Sequence, residues 1–518
     1  MAVAIAASPD AKRSAHPIRR LARNPTALFG IAALIILGGC ALRAALGHWT
    51  YQANRDLFQH AAAIRALMAD LHHPDNPYVV STEGSRQFHP YWVMMAALAR
   101  TFGWTLWQTI GVASFLSMGT VAAGIYFFAR EYYRSAWGPL ALLLCALLGW
   151  SMPISHTGFL NVPTLVEGAP YPAPLVAGMS FVLWALVIRS IRDLRNAALI
   201  VPLVAFMFAT HQLGAGLAMI VGTSLFLFWP EGSVRARLAV CLAFAGGLLL
   251  SAAWPYENPF VVLFKAGNPS WENGVDWYTP KYLLGMLIPS AIGIVGLRRP
   301  VVPGTGRPLL LVLPVLILGF VSGALGFLTG TRFAPIAILM LQIGMAAILV
   351  RFAESPASRS DRFKKVLVGT AFGAVWFQLL ALGLYFYPAE SRDQRIYGNV
   401  YDESLKLTTS IPDREQIAAF DVAAWPIVAS GQKVLSIPWP EPMISDLAAR
   451  QATLERLFDP HISRDQRLSL AKSAGVRTLI LDVRWGKKGP WEYWELYRFR
   501  QQALRTTSAG PMVRYDLY

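Results

Sequence analysis

Residues 25–67 read PTALFGIAALIILGGCALRAALGHWTYQANRDLFQHAAAIRAL. The stretch 25–46 is apolar except for Arg43 near its end. A helix needs about 20 mostly apolar residues to cross a bilayer, so 25–46 predicts a membrane span. It is too long, and begins too far from the N-terminus, to read as a cleaved signal peptide, and no A-x-A site follows it. The character then changes. Gln52, Asp56, Gln59 and His60 recur at helical spacing on one face, which predicts an amphipathic helix lying at the membrane surface. Asp56 and His60 stand four residues apart and can meet on that face.

The rest of the chain repeats the first signal. The 518 residues are 55 % hydrophobic and 15 % charged, against about 45–50 % and about 25 % in soluble domains. Mean hydropathy is +0.42. These values exclude a soluble enzyme, a disordered chain and a collagen-like chain. Ten further apolar runs follow the first, at 106–128, 136–152, 173–189, 197–211, 213–230, 238–255, 281–297, 308–329, 333–350 and 366–387. The expected fold is a polytopic α-helical membrane protein of about 11 transmembrane helices. Cys40, Cys145 and Cys241 all lie within apolar runs, so neither a disulfide framework nor a thiolate metal site is expected.

Charge sets the expected orientation. With the N-terminus in the cytoplasm, the inner segments are 1–24, 129–135, 189–196, 231–237, 298–307 and 351–365. They hold twenty Lys and Arg against six acids, a net +14. The outer side of the membrane region, counting Arg43 and Lys281 at the outer ends of their spans, holds eight of each sign. By the positive-inside rule this asymmetry predicts a cytoplasmic N-terminal tail, 1–24, and a transmembrane domain, 25–387. It also accounts for the pI near 9.9 and net charge of +16, so nucleic acid is not an expected partner. Eleven spans place 388–518 outside, as an exoplasmic α/β domain. Strands are expected near 434–437, 478–481 and 512–515, with helices near 443–457, 463–474 and 491–505. Ser463 and Gln466 have capping-box form, and Gly431 and Gly475 stand where left-handed helix caps belong.

The outer loops are unequal, long at 47–105, 153–172 and 256–280 with short turns at His211-Gln212 and near Arg332, and the inner ones are short connectors. Function is expected where polar groups gather against the membrane, hence on the outer face and above all in the first loop, 47–105. An acid just past the first span can act as general base on a hydroxyl; Asp56 can equally pair with Arg55 or Arg65. The run His72-His73-Pro74-Asp75 with His89 has a metal-like composition, but its spacing matches no closed zinc pattern, and a solvated loop is the expectation. No motif supports a cofactor or a divalent metal. Tyr91 and Trp92 read as interfacial aromatic anchors.

The segment NRDLFQHAAAIRALMADLHHPDNPY, followed by FHPYW, sits in this first loop. Together with the span pattern it resembles the GT-C superfamily of integral-membrane glycosyltransferases, including the bacterial aminoarabinose and mannosyl transferases that use polyprenyl-phosphate sugars. The topological likeness covers most of 25–390; the sequence likeness is confined to 51–92. It implies an inverting transfer from a polyprenyl-phosphate-linked sugar to an acceptor hydroxyl on the outer face of the bacterial cytoplasmic membrane. The acceptor would be a glycolipid, a polysaccharide or a protein. The family's first-loop acid corresponds to Asp56, with His60 beside it. The acidic pair of metal-dependent members has no counterpart next to Asp56.

Such a transfer needs cations at the outer boundary to hold the departing phosphate. Arg332, in the turn before 333–350, is the first candidate, followed by Lys265, Lys281 and Arg86. Arg332 also suits a snorkelling helix anchor. Glu167, His211, Gln212, Glu257 and Asp276 are candidates for acceptor or sugar binding, with Trp271 offering an aromatic face. Two alternatives stand beside the transferase: a transporter or lipid flippase, for which paired halves and intramembrane charges are expected, and a polysaccharide polymerase or ligase.

Overall fold

The computed structural model describes residues 24–46, 55–150, 158–265, 280–325, 330–354, 400–412, 415–438, 441–484 and 491–518, with the single positions 369 and 373. The chain is mostly helical. Helix α1 spans Pro25–Leu46, with a π-turn at Leu34–Gly38. The first loop then contributes α2 (Arg55–Ala69) and α3 (Pro90–Phe102). Next come α4 (Leu106–Tyr133), α5 (Gly138–Leu148), α6 (Val162–Gly168) and α7 (Pro172–Arg192). They are followed by α8 (Ala197–Thr210), α9 (Gln212–Phe228) and α10 (Val234–Ser251). The series closes with α11 (Pro259–Lys265), α12 (Pro280–Ser290), α13 (Gly293–Arg298), α14 (Gly306–Ala324) and α15 (Phe333–Glu354).

Among the described residues, six helices are long and apolar enough to cross a membrane: α1, α4, α7, α10, α14 and α15. The remaining apolar runs form shorter helices, and most of the run expected at 366–387 lies outside the described residues. Helix starts follow local chemistry. Thr105 caps α4 in a capping box with Gln108, and proline opens α3 and α7, where its missing N–H costs nothing. Glycines set the closest crossings. A Cβ on Gly124 of α4 would lie 2.1 Å from the Gly178 carbonyl of α7, and one on Gly296 of α13 would lie 1.8 Å from the Gly344 carbonyl of α15. Small residues at such points let backbones meet where no water drives association.

The short connectors gather at one end of the bundle. Arg134 pairs with Glu231, Arg189 and Arg192 pair with Glu131, and Arg192 also reaches Glu231. Ser135 donates to Glu354 at 2.5 Å, and Arg351 to the Arg299 carbonyl at 2.8 Å. The first loop and the His211 junction lie at the helix ends away from these connectors.

The C-terminal region adds α16 (Val400–Thr408), α17 (Ala424–Ala429), α18 (Leu447–Leu457), α19 (Arg464–Ser473) and α20 (Tyr493–Gln502). Its strands are β1 (Gln416–Ala419), β2 (Lys433–Val434), β3 (Val476–Asp482), β4 (Arg505–Ala509) and β5 (Met512–Asp516). They form one mixed sheet of order β2-β1-β3-β5-β4, parallel among the first three and antiparallel beyond. Side chains alternate between two faces along a strand, and here the faces have different tasks. Ile417, Ala419, Ile480 and Met512 join a core with the first-loop helices. Ala418, Leu479, Leu481 and Tyr515 join a second core with Leu454, Ala471 and Phe499 of α18 to α20. Strands β1 and β4 were not expected; the three expected helices and the capping box at Ser463 are present. Gly431 and Gly475 adopt φ of +102° and +66°.

The first-loop helix departs from its expected setting. Every residue from Leu57 to Ile64 is buried, because α17 and α3 cover it. Arg65 donates from Nε to the Ala429 carbonyl at 3.0 Å and from its guanidinium to the Tyr401 hydroxyl at 3.2 Å. The Val434 amide donates to the Tyr78 carbonyl at 2.8 Å, so the loop covers the β2 edge. A helix expected at the membrane surface is thus a central layer between bundle and tail. Gln52 lies outside the described residues.

Candidate functional site

Two helices and two turns bring the polar groups together. On α2, His60 faces Trp92 of α3, which donates from its indole N–H to His60 Nδ1 at 3.0 Å. With Nδ1 accepting, the neutral ring carries its proton on Nε2. Tyr171, which opens α7, packs its ring 5.0 Å from the His60 ring. Tyr91 and Trp92, expected as interfacial anchors, are both buried. Tyr91 instead donates to the Ala113 carbonyl at 3.0 Å and meets the Ser117 hydroxyl at the same distance. The aromatic pair fills the seam between first loop and α4 because each ring's polar edge finds a partner there.

Tyr171 is the meeting point of two expected acids. Burial holds its hydroxyl pKa well above the ordinary value, and the charges of Asp56 and Glu167 push it the same way. Asp56 in the first turn of α2 and Glu167 in α6 therefore both lie within electrostatic reach of Tyr171. Asp56 and Glu167 are half-buried. Burial drives His60 down to about 3, the Arg86 charge adding to the effect while the Gln87 side chain opposes it. His60 is thus a neutral group at any physiological pH.

His211 caps α9, its Nδ1 accepting from the Gly214 amide at 3.0 Å. Its side chain lies within electrostatic reach of His60, His89 and Arg332. Arg332 closes a 3-10 turn, Gly330–Arg332, directly before α15. Gln212 follows His211 as the first residue of α9 and is half-buried.

Arg86 stands at a second focus. Its amide donates to Glu441 Oε1 at 3.3 Å, and its Nε lies 3.9 Å from Oε2. The Ser85 hydroxyl donates to the same carboxylate at 3.1 Å. Glu441 comes from the C-terminal region, between Pro440 and Pro442. Glu257 is 4 % exposed, and neither carboxylate oxygen has a hydrogen-bond partner among the described residues. Burial raises it to about 9; the Glu441 charge adds to this and Arg86 opposes it. Glu257 is accordingly protonated at neutral pH.

The structure thus unites Asp56, His60, Glu167, His211, Arg332 and, through Glu441, Arg86 and Glu257. Lys265 ends α11 and Lys281 lies in α12. Asp276 and Trp271 lie outside the described residues. Asp70 accepts from the amides of His72 and His73 at 2.8 and 3.0 Å, which closes the histidine loop. Among the described residues no group of three metal-ligating side chains converges. Trp92, His89, Tyr171 and Glu441 were not among the expected site residues. The signals were faint: an i,i+3 His–Trp pair in HPYW, an aromatic before a helix-opening proline, and a lone acid in WPEP.

No protein-family model matches the chain, and no curated protein matches it in sequence. Solved structures do share its fold. ArnT from Cupriavidus metallidurans bound to undecaprenyl phosphate has a TM-score of 0.56 at 12 % identity, over 95 % of this chain and 97 % of that one. The arabinofuranosyltransferase AftD from Mycobacteria has 0.54 at 15 % identity over 90 % of this chain, which spans only 40 % of its length. The oligosaccharyltransferase AglB from Archaeoglobus fulgidus, in complex with an inhibitory peptide and a dolichol-phosphate, has 0.50 at 10 % identity, over 87 % and 69 %. Over 87 to 95 % of its length the chain shares the fold of these three structures.

Proposed function

We propose that the protein is a membrane glycosyltransferase that moves a sugar from a polyprenyl-phosphate donor to an acceptor hydroxyl. The observation that carries the reading is the convergence of Asp56 and Glu167 at Tyr171, next to His60, His211 and Arg332, in a fold shared with ArnT bound to undecaprenyl phosphate. Asp56 takes the proton of the acceptor hydroxyl. The freed oxygen attacks the anomeric carbon as the bond to the donor phosphate breaks. The phosphate leaves with that electron pair as polyprenyl phosphate, and the anomeric configuration inverts. Arg332 holds the leaving phosphate, with His211 beside it; Arg86, Lys265 and Lys281 are further cationic candidates. Glu167, Gln212, Glu257, Asp276 and Trp271 are assigned to the acceptor or sugar. His60, neutral and aimed by Trp92, positions rather than transfers charge.

The topology belongs to the same proposal. Eleven spans place 1–24 in the cytoplasm and 388–518 outside, as a domain over the active face. The gathering of arginine-rich connectors at one end of the bundle supports it, as does the placement of the site at the other. The site is then on the outer face of a bacterial cytoplasmic membrane. The sugar, hexose or pentose, is left open. The test is release of polyprenyl phosphate and formation of a glycosylated acceptor by purified protein in proteoliposomes, given undecaprenyl phosphates bearing pentoses or hexoses and a membrane-lipid extract as acceptor. Absence of both products across the panel overturns the reading.

A further inference from the structure

His89 forms the N-cap of α3 without a side-chain capping bond. It is 3 % exposed, and neither ring nitrogen has a hydrogen-bond partner among the described residues. A neutral imidazole carries one donor and one acceptor, and burying both unpaired destabilises the fold. Its neighbours do not relieve this. The Tyr91 ring lies nearly parallel at 6.3 Å, and its hydroxyl is used by Ala113 and Ser117. The Trp92 ring lies at 5.9 Å, and its N–H is used by His60. Gln59, next to His60, also has a buried amide nitrogen without a partner.

The ligand's chemistry follows from what these groups offer. Burial holds the His89 pKa well below the ordinary value, and the neighbouring His60 and His211 push it the same way. An uncharged ring with a single N–H is a poor cradle for phosphate, which gains most from charge-assisted donors. It suits a group that presents a hydroxyl oxygen and a hydroxyl hydrogen side by side. A sugar ring does so.

We propose that His89 is a substrate contact that binds two hydroxyls of the transferred sugar, donating to one and accepting from the other. The assignment rests on the transferase reading above and adds to it which side chain holds the sugar. A site that leaves a donor and acceptor unpaired without ligand is one that discriminates strongly when ligand fills it.

The test pairs stability with affinity. His89→Phe removes the two unpaired groups at similar volume, so ligand-free protein is expected to melt about 2 °C higher. In nanodiscs, its affinity for undecaprenyl phosphate itself is expected to stay unchanged. Affinity for undecaprenyl phosphate bearing the sugar bound tightest by wild type, chosen among arabinofuranose, 4-amino-4-deoxyarabinose and mannose, is expected to fall roughly 10- to 100-fold. His89→Gln, which keeps one donor and one acceptor, is expected to recover part of it. Equal weakening of both lipids overturns the proposal, as does wild type binding all the sugar-bearing lipids no better than the bare one. So does a melting temperature lowered by Phe and restored by Gln. Asp56→Asn run alongside separates the two claims. If it retains turnover while His89→Phe still loses sugar-dependent affinity, the base assignment fails and the His89 contact stands.

Discussion

At the scale of single residues, the site joins groups whose roles differ by charge state. Arg332→Ala is expected to weaken donor binding, since a charge-assisted phosphate contact is lost. Arg332→Lys is expected to recover only part, because a point charge replaces a planar fork; titration with undecaprenyl phosphate checks both. Glu257 yields a pH prediction with a definite sign. Its folded pKa is raised from 4.5 to about 9, so between those values the folded protein keeps a proton that the unfolded chain has lost. That stability is complete below pH 4.5 and is lost as pH rises through 9. Glu257→Gln is thus expected to gain on wild type as pH rises, and its melting temperature relative to wild type should be higher at pH 8 than at pH 5. A flat or opposite trend contradicts a protonated Glu257. Asp56, Glu167, His211 and Arg332 could be nominated from the sequence because each is a polar residue in or beside a segment that links apolar runs. His89, Trp92 and Tyr171 could not, since what sets them apart is their packing against other elements. Glu441 lies 355 positions from the Arg86 amide it accepts from.

At the scale of elements, apolar run length was the reliable signal, and environment was the unreliable one. Ten of the eleven expected spans coincide with described helices, although only six of those helices reach full spanning length. Helix α2 was read correctly as a helix, but its burial under α3 and α17 was not foreseen. Its charges sit at Arg55, Asp56 and Arg65, and the intervening run carries no charge, with Gln59 and His60 as its polar residues among apolar ones. Strand β1 escaped notice as a four-residue QIAA and β4 as a polar edge RTTSA. Helix crossings give a paired prediction. Gly124→Ala drives a Cβ to 2.1 Å from the Gly178 carbonyl and is expected to cost about 1–3 kcal/mol by overpacking. Gly119→Ala, on the same helix with nothing within 4 Å, is expected to be neutral or slightly stabilising. Thermal melts of the two variants check this; similar melting points contradict the close α4–α7 crossing.

At the scale of the whole molecule, the C-terminal region is part of the site's architecture. One face of its sheet shares a core with the first-loop helices, and Glu441 reaches Arg86. No short-range pattern in the sequence announces such a joint, whereas the charge asymmetry that sets the expected topology is visible residue by residue. Cysteines placed at Ser360 and Arg464 test that topology: an impermeant reagent on intact cells is expected to label position 464 and spare 360, and the reverse pattern overturns it. The central claim is that this fold transfers a sugar with Asp56 as the base. Turnover of a polyprenyl-phosphate sugar in proteoliposomes tests it most directly, with wild type beside Asp56→Asn. General-base help is worth typically 10²–10⁴-fold, so the variant is expected to lose about that much turnover and keep donor affinity. Turnover near the wild-type rate in Asp56→Asn would contradict the account.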